Sequence, residues 1–367
     1  MMNRADSFTR KWRELKRLLE RKEKRGILLE TQASVSWLTG ARSFINLAST
    51  QSVMQLYVTR DRVHVIVNNI EAKRMEEEEC TGLPGGVLSF DPYPWHDSQG
   101  ARRALERAAS AQAAERLDER ECAEDLGALQ SILDPYEQMV LEDLSRDTAQ
   151  AVEEAAAAFV FQESEYTLAG RLSRALWERG VEPLVLLAAG DERTAQRRHP
   201  LPTHGRVESY AILSVCGRRQ GLVASVTRSV HRGPLPQALR KKQEAVAFVD
   251  AAAIVSSQPG VTLQEVFEAI CRAYESQAYP QEWMFHHQGG LTGYATRSHL
   301  AAHGVALTLQ PGMALAYNPT VSGTKSEDTC LLGSRGAVIL TQSGGPWPML
   351  SVDTGGKRTL RPAILER

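Results

Sequence analysis

The sequence predicts two domains, an α/β domain followed by a larger α+β domain. The length of 367 residues exceeds what one compact core usually holds. The first third alternates helical and strand patterns, and the remainder interleaves long helical patterns with β-hairpins, which suits an α+β arrangement. Proline is tolerated in a first helical turn, so Asp134-Pro135 predicts a helix start and a domain boundary just before it. We therefore expect domains at 1–132 and 133–367.

The first domain begins with a helix and a buried strand. Apolar side chains recur at helical spacing over 8–24, and a short apolar run follows from Gly26. Two alternating runs, Gln55-Leu-Tyr-Val-Thr and Val63-His-Val-Ile-Val, predict a hairpin. A charged helix through 70–79, a strand near 85–94 and a surface helix over 100–116 complete this domain.

The second domain begins with the helix from Pro135 to about residue 160. We expect further helices near 167–179, 235–256 and 262–277. Strands are expected near 184–189 and 208–228, and again in the last hundred residues.

Bulk charge and cysteine usage exclude several classes of protein. The chain has 43 Lys and Arg against 44 Asp and Glu, so no overall field attracts nucleic acid or an anionic membrane. Neither a signal peptide nor a membrane-spanning run is evident, which predicts a cytoplasmic protein. The cysteines are scattered and odd in number, which predicts reduced thiols; they are Cys80, Cys122, Cys216, Cys271 and Cys330.

Four segments of the second half carry the functional signal. They are Ala211-Ile-Leu-Ser through Ser225-Val-Thr-Arg228, His286-His-Gln-Gly-Gly-Leu-Thr-Gly293, Pro311-Gly-Met-Ala-Leu-Ala-Tyr-Asn-Pro319 and Lys325-Ser-Glu-Asp-Thr329. Their order and spacing resemble the creatinase/aminopeptidase P/prolidase family, peptidase family M24, which has the pita-bread fold. The resemblance reaches the N-terminal half, where Leu28 to Gly40 is similar to a strand and helix of that family. It implies a creatinase-like N-terminal domain, a pita-bread C-terminal domain and a homodimer.

The resemblance also implies where metal ligands would stand. The ligand positions of metal-dependent members fall on Ser214, Ser225, Gly290, Asn318 and Glu327, so only the last keeps a ligand side chain. A serine hydroxyl stays protonated near pH 7, and glycine offers no side chain. We therefore expect no metal and no other cofactor.

Creatinase, a metal-free member, implies roles for the residues that remain. Its catalytic glutamate corresponds to Glu327, and its histidine to His199, with His204 as a second candidate. Its other glutamate corresponds to Thr227, which argues against creatine itself as the substrate. An outer catalytic histidine of the metal-dependent members falls on Arg297.

These considerations give a set of candidate site residues. We expect Glu327, His199 and His287 to be catalytic, with histidine suited to proton transfer near neutral pH. Arginines bind anions by paired contacts, which makes Arg297 and Arg228 candidates for an anionic group. The remaining predicted substrate-binding residues are Ser214, Ser225, Thr227, His204, His286, Tyr294 and Asn318.

Three functions remain open from the sequence. The first is a metal-independent enzyme that hydrolyses a C–N bond, or performs a related elimination, in a small polar substrate. The second is a binding module without catalysis, since some relatives of this fold bind peptides or histones. The third is an Xaa-Pro aminopeptidase or dipeptidase with an unusual metal site. The expected partner is a small molecule or short peptide, with no nucleic acid and no membrane.

Overall fold

The computed structural model describes residues 2–109 and 115–367. Spatial contacts divide the chain between Glu137 and Gln138 into two units. The boundary expected between residues 132 and 133 remains a prediction. In the part of the chain that the structure describes, none of the helices combines the length and the hydropathy of a membrane span.

The first unit is a mixed five-stranded sheet with helices, as the sequence predicts. Its strands run in the order β4-β3-β2-β1-β5. Its helices are α1 (Arg4–Arg21), α2 (Gln32–Thr39), α3 (Ala72–Arg74), α4 (Gly100–Ala108) and α5 (Ala123–Ser131). Its strands are β1 (Gly26–Thr31), β2 (Gln51–Thr59), β3 (Val63–Asn68), β4 (Leu88–Tyr93) and β5 (Arg116–Asp118).

Two sequence predictions for this unit need correction. The expected helix over 100–116 ends at Ala108, and the part at 110–114 lies outside the described residues. Arg116 is in a strand, because β5 pairs in parallel with the edge of β1 and buries Leu117. In the run of glutamates, Glu76, Glu77 and Glu78 are exposed. Glu79, which ends the run, is buried and accepts hydrogen bonds from the backbone and guanidinium of Arg42.

The second unit contains two principal sheets and long helices, the predicted α+β architecture. The sheets have strand orders β18-β8-β7-β6 and β10-β9-β11-β14-β15. The helices are α6 (Pro135–Ala158), α7 (Glu165–Glu178), α8 (Glu192–Gln196), α9 (Gln237–Ser256) and α10 (Leu263–Ser276). The strands are β6 (Glu182–Gly190), β7 (Tyr210–Arg219), β8 (Leu222–His231), β9 (Gly289–Thr292), β10 (His299–Leu300), β11 (Ala314–Tyr317), β12 (Thr320–Val321), β13 (Thr324–Lys325), β14 (Asp328–Gly333), β15 (Gly336–Ile339), β16 (Met349–Thr354), β17 (Lys357–Pro362) and β18 (Leu365–Glu366).

The hairpin of β7 and β8 positions the centre of this unit. Its two-residue turn has positive φ at both Gln220 (50°) and Gly221 (82°), a tight turn that matches the twist of the strands. The resulting register sets Ser214 opposite Thr227. Because paired residues of an antiparallel ladder point to the same face, both hydroxyls lie on one side of the hairpin. An isolated bridge from Thr227 to Glu327 then joins the two sheets.

Candidate functional site

Glu327 lies at the junction of the two sheets, between β13 and β14. Only 4% of the residue is exposed, so an ionised carboxylate here is costly unless it is paired. Two cations and one hydroxyl pair with it. The Arg297 guanidinium donates to Oε1 at 3.0 Å, and the Lys325 ammonium lies 2.8 Å from Oε2. Thr227 Oγ1 also donates to Oε2, at 2.7 Å.

These partners keep Glu327 ionised. Burial alone would raise its pKa, but Lys325 and then Arg297 outweigh burial and lower the pKa to about 2. At neutral pH this carboxylate neither gives nor takes a proton. A carboxylate held ionised in this way is not a proton donor at neutral pH, and the catalytic role expected for Glu327 stays a prediction. Its role in the structure is to hold two cations in fixed positions.

The hydroxyls of the hairpin extend the same network. Ser214 Oγ lies 2.6 Å from Thr227 Oγ1 and 3.4 Å from the Lys325 ammonium. Ser225 is fully buried and accepts a hydrogen bond from Arg297 at 3.0 Å. Both serines therefore contact side-chain cations.

Gly290 lies in β9, where its backbone closes off the space for any side chain. Its φ is +150°, and a Cβ atom would overlap the carbonyl oxygen of His299 in the adjacent strand β10. Glycine is required here both by conformation and by close approach of the backbone. Asn318 follows β11, and within the described residues its Oδ1 atom has no hydrogen-bond partner although only 3% of the residue is exposed.

Three histidines stand together beside this network. His199 comes from the loop after α8, and His286 and His287 follow a 3-10 turn at Glu282–Phe285. The Nε2 atoms of His199 and His286 are 2.9 Å apart, and the His286 and His287 rings stack at 4.5 Å between centroids. Burial followed by Lys325 lowers the pKa of His286 to about 3 and also lowers that of His199. Burial followed by Arg297 lowers the pKa of His287 to about 4, so all three rings are neutral at pH 7.

A cavity of about 120 Å³ unites these groups. It is lined by apolar side chains of β6 on one side and by polar side chains on the other. The polar and charged residues at its wall are His199, Ser214, Cys216, His287, Thr296, Arg297, Asn318, Lys325 and Glu327. The structure thus places one histidine from the loop, His287 and both cations around one space.

The donor set does not fit two divalent metal ions. Of the five positions implied by the resemblance, Ser214 and Ser225 offer protonated hydroxyls and Asn318 offers an amide. At Gly290 no side chain can enter without moving β10. Both oxygens of Glu327 already accept from cations, and those cations would repel a metal ion. Zinc sites use three or four side-chain ligands, so the dinuclear arrangement has no basis in these residues.

Several predicted site residues lie elsewhere. Arg228 is buried on the opposite face of β8, because alternation turns it away from Ser225 and Thr227. There it pairs with Glu153 and Asp328. Ser225, Thr227 and His286 do not line the cavity but contact residues that do. Two further predicted residues lie away from it. His204 is exposed and lies edge-on against Tyr166, and Tyr294 is half-buried in the segment after β9.

Three polar residues of the cavity wall were not predicted from the sequence, namely Lys325, Cys216 and Thr296. Lys325 lies two positions before Glu327 and reaches the same carboxylate, a spacing that could have revealed it since alternate residues of an extended chain share a face. Cys216 pairs with Ser225 across the hairpin, and its sulfur is 3.4 Å from the serine hydroxyl. Burial raises the pKa of this thiol, so it remains protonated.

Comparisons with known proteins agree with this architecture. The model of the creatinase/prolidase N-terminal domain matches residues 11–134, and that of metallopeptidase family M24 matches residues 141–339. A search of curated protein sequences gives no significant match.

Solved structures of similar fold cover nearly the whole chain. Dipeptidase PepE from Mycobacterium ulcerans has a TM-score of 0.73 and 16% identity, over 93% of this chain and 97% of that one. The prolidase from Pyrococcus horikoshii OT3 has a TM-score of 0.71 and 18% identity, over 91% and 98%. The N-terminal domain of FACT complex subunit SPT16 from Cicer arietinum has a TM-score of 0.68 and 14% identity, over 92% of this chain and 95% of that one. At such identities these structures establish the fold, and the matched family models show that the chain belongs to metallopeptidase family M24.

Proposed function

We propose that this chain is an enzyme that hydrolyses a C–N bond in a small anionic substrate without the dinuclear metal centre of its family. The observation that carries the proposal is the pair of buried cations around Glu327. Two cations minus one carboxylate leave the cavity wall with a net charge of +1, since the histidines there are neutral. A buried positive charge is best offset by an anion held at short range.

The unpaired polar atoms indicate what else the substrate carries. Within residues 2–109 and 115–367, no group of the chain bonds to Asn318 Oδ1 or Arg297 Nε. An amide oxygen accepts from an N–H, and a guanidinium N–H donates to a carboxylate. Both residues line the cavity while these two atoms are buried, so a small carboxylate that also bears an N–H group would satisfy both once their side chains turn toward it. The cavity of about 120 Å³ is close in size to the cavity of about 150 Å³ that holds benzene, so the bound part of the substrate is small.

Proton transfer falls to a histidine in this proposal. A neutral His199 takes a proton from water while the water oxygen bonds to the carbon of the C–N bond. The same proton then passes to the nitrogen as that bond breaks, which completes a hydrolysis. His287 lies on the same wall and is the second candidate. Glu327 positions Lys325 and Arg297, and these bind the anionic group.

Two other functions compete with this one. The likeness to a prolidase and a dipeptidase favours hydrolysis of short peptides, which would need a metal ion at other residues. The likeness to the SPT16 domain favours binding without turnover. Both rest on fold similarity, which does not fix function.

A substrate panel separates the three. Small N-acyl, N-carbamoyl and guanidino acids are compared with Xaa-Pro dipeptides, with a chelator and with added Mn²⁺, Co²⁺ or Zn²⁺. We expect turnover of one anionic substrate that the chelator leaves unchanged. His199→Gln should lower kcat by about 10²–10⁴-fold, as for a general base. Arg297→Met should chiefly raise KM, and His204→Gln, in the same loop, should change neither constant.

The opposing outcomes are distinct. Turnover of dipeptides that appears only with added metal would replace the proposal with the peptidase. Tight binding of peptides with no turnover of any substrate would replace it with the binding module.

A further inference from the structure

Three imidazoles converge beside the cavity without a carboxylate among them. His199 and His287 line the cavity, and His286 contacts both. Each of the three offers one ring nitrogen, and these atoms all lie within 4.8 Å of one another. Imidazole is the commonest side-chain ligand for Zn²⁺, Cu²⁺ and Ni²⁺. With metal–nitrogen bonds of about 2.0–2.1 Å, a tetrahedral ion holds its ligand nitrogens about 3.4 Å apart. Side-chain rotations that move these nitrogens by about 1 Å would bring the cluster into this range.

The contact between two of the rings is an N–H···N hydrogen bond, which a shared cation would replace. The Nε2 atoms of His199 and His286 are 2.9 Å apart, so they cannot both carry a proton without a close clash. At least one therefore presents a lone pair to the other. His286 is 7% exposed, and its Nδ1 atom has no hydrogen-bond partner in the described ranges 2–109 and 115–367. A buried polar atom left unpaired calls for an explanation, and an ion accounts for it where Nδ1, rather than Nε2, is the nitrogen that His286 offers.

The backbone supports the arrangement from two sides. His286 and His287 are consecutive, yet their rings stack nearly parallel, at 22°, so both lie over His199. Arg198, which directly precedes His199, donates hydrogen bonds to Thr320 at 2.7 Å and to Glu282 at 2.6 Å. Glu282 begins the 3-10 turn that leads to His286, so this bridge ties the two segments together directly beside the cluster.

We propose that His199, His286 and His287 form a site for a single borderline transition-metal ion such as Zn²⁺, Ni²⁺ or Cu²⁺, with one coordination position open to the cavity. The site shares none of the five positions at which the resemblance implies metal ligands. Imidazole ligands exclude Mg²⁺ and Ca²⁺, which prefer oxygen. The Lys325 and Arg297 charges repel a metal ion here as they do at Glu327, so we expect an anion as the fourth ligand, where it offsets the added positive charge.

This inference goes beyond the proposed function. An imidazole that binds a metal ion cannot at the same time take a proton from water, so an ion here would stop the proposed hydrolysis. Metal binding and turnover are measured separately, and the failure of either leaves the other standing.

The test uses the full chain after treatment with a chelator and dialysis. Zn²⁺ binding is measured by calorimetry, the ligand geometry by the visible absorption of bound Co²⁺, and the ligand type by electron paramagnetic resonance of bound Cu²⁺. We expect one ion per chain, a tetrahedral Co²⁺ spectrum and nitrogen splitting of the Cu²⁺ signal. His199→Gln and His287→Gln should each weaken binding by about 100-fold or more, beyond the about 10–100-fold typical of residues that only support a ligand.

A variant of another histidine in the loop after α8 serves as the control for metal binding. His204→Gln removes an exposed histidine of the same loop and should leave binding unchanged. His199 and His287 are both exposed, so their variants are expected to fold even if a change at the buried His286 does not. Absence of saturable binding to the unaltered chain would overturn the proposal. Equal binding by all the variants would do so as well, because it would place the ion elsewhere.

Discussion

Replacing Glu327 by glutamine should leave two buried cations without their counterion. The substitution preserves shape and keeps an oxygen for Thr227, but it removes the charge that Arg297 and Lys325 contact. Removing one partner of a buried ion pair typically costs about 3–5 kcal/mol. The lowered pKa of Glu327 agrees with this direction, because a carboxyl whose pKa falls on folding stabilises the folded state at pH 7. We expect Glu327→Gln to lose about 3 kcal/mol at pH 7.

The assay must report on the second unit alone, because two units need not unfold together. Hydrogen exchange of the Thr227 amide in increasing urea does so, as this amide donates to the Glu327 carbonyl across the sheet junction. The control is a double-mutant cycle with Lys325→Met. That second change removes an unpaired ammonium, so the double variant should be more stable than Glu327→Gln alone.

The pH dependence gives a further check on the same residue. A carboxyl whose pKa is lowered on folding stabilises the protein above its ordinary pKa, and this stabilisation is lost as pH falls through the folded value. The contribution of Glu327 should therefore fade between about pH 4.5 and pH 2, and Glu327→Gln should lack that slope. A loss below 1 kcal/mol at pH 7, together with additive effects in the cycle, would refute the assigned charge pairing.

Three further changes test other parts of the structure. His286 has a pKa of about 3 in the folded chain, below its ordinary 6.5, so the folded state should lose about 2 kcal/mol of stability as the pH falls from 6.5 to 5. His286→Gln should flatten that part of the profile of Tm against pH. An unchanged slope would contradict a buried neutral ring. In urea unfolding, Gly290→Ala should destabilise the protein by about 3 kcal/mol or more. The control Gly304→Ala, also at positive φ (79°) but with open space around it, should cost about 1 kcal/mol. Equal losses would rule out the overlap with His299. Arg361 is fully buried between Asp250 and Asp328, so Arg361→Met should lower the stability by about 3–5 kcal/mol. Arg358 is exposed, and Arg358→Met should change the stability little. A similarly small loss in both variants would argue against that ion-pair network.

The fold could be predicted because its signals are local. Gly221 marks the turn of the central hairpin, and Pro135 marks the start of α6, so both elements appear where their turn and cap chemistry requires. The error at Arg116 has the opposite cause. The three-residue strand β5 is held by pairing with β1, which lies about ninety residues earlier in the chain. Nothing in the composition of β5 itself indicates a strand.

The site was predictable where alternation or family position applied and unpredictable where two loops meet. Side chains alternate between two faces along an extended chain, so Arg228, three positions after Ser225, faces away from the cavity. The same alternation places Lys325, two positions before Glu327, on the face of that glutamate. The approach of His199 to His286 depends on how the loop after α8 packs against a 3-10 turn, which no periodicity encodes. The ionised state of Glu327 depends in turn on cations from two different segments, so it required the structure.

The closed backbone at Gly290 limits what single substitutions can achieve at this site. A histidine introduced there alone meets the carbonyl of His299 before it can reach a metal ion. An aspartate introduced at position 225 or 214 would lie beside Arg297 or Lys325 and form a salt bridge with it. A metal centre could therefore be engineered into this chain only by changing the glycine strand and both cations together.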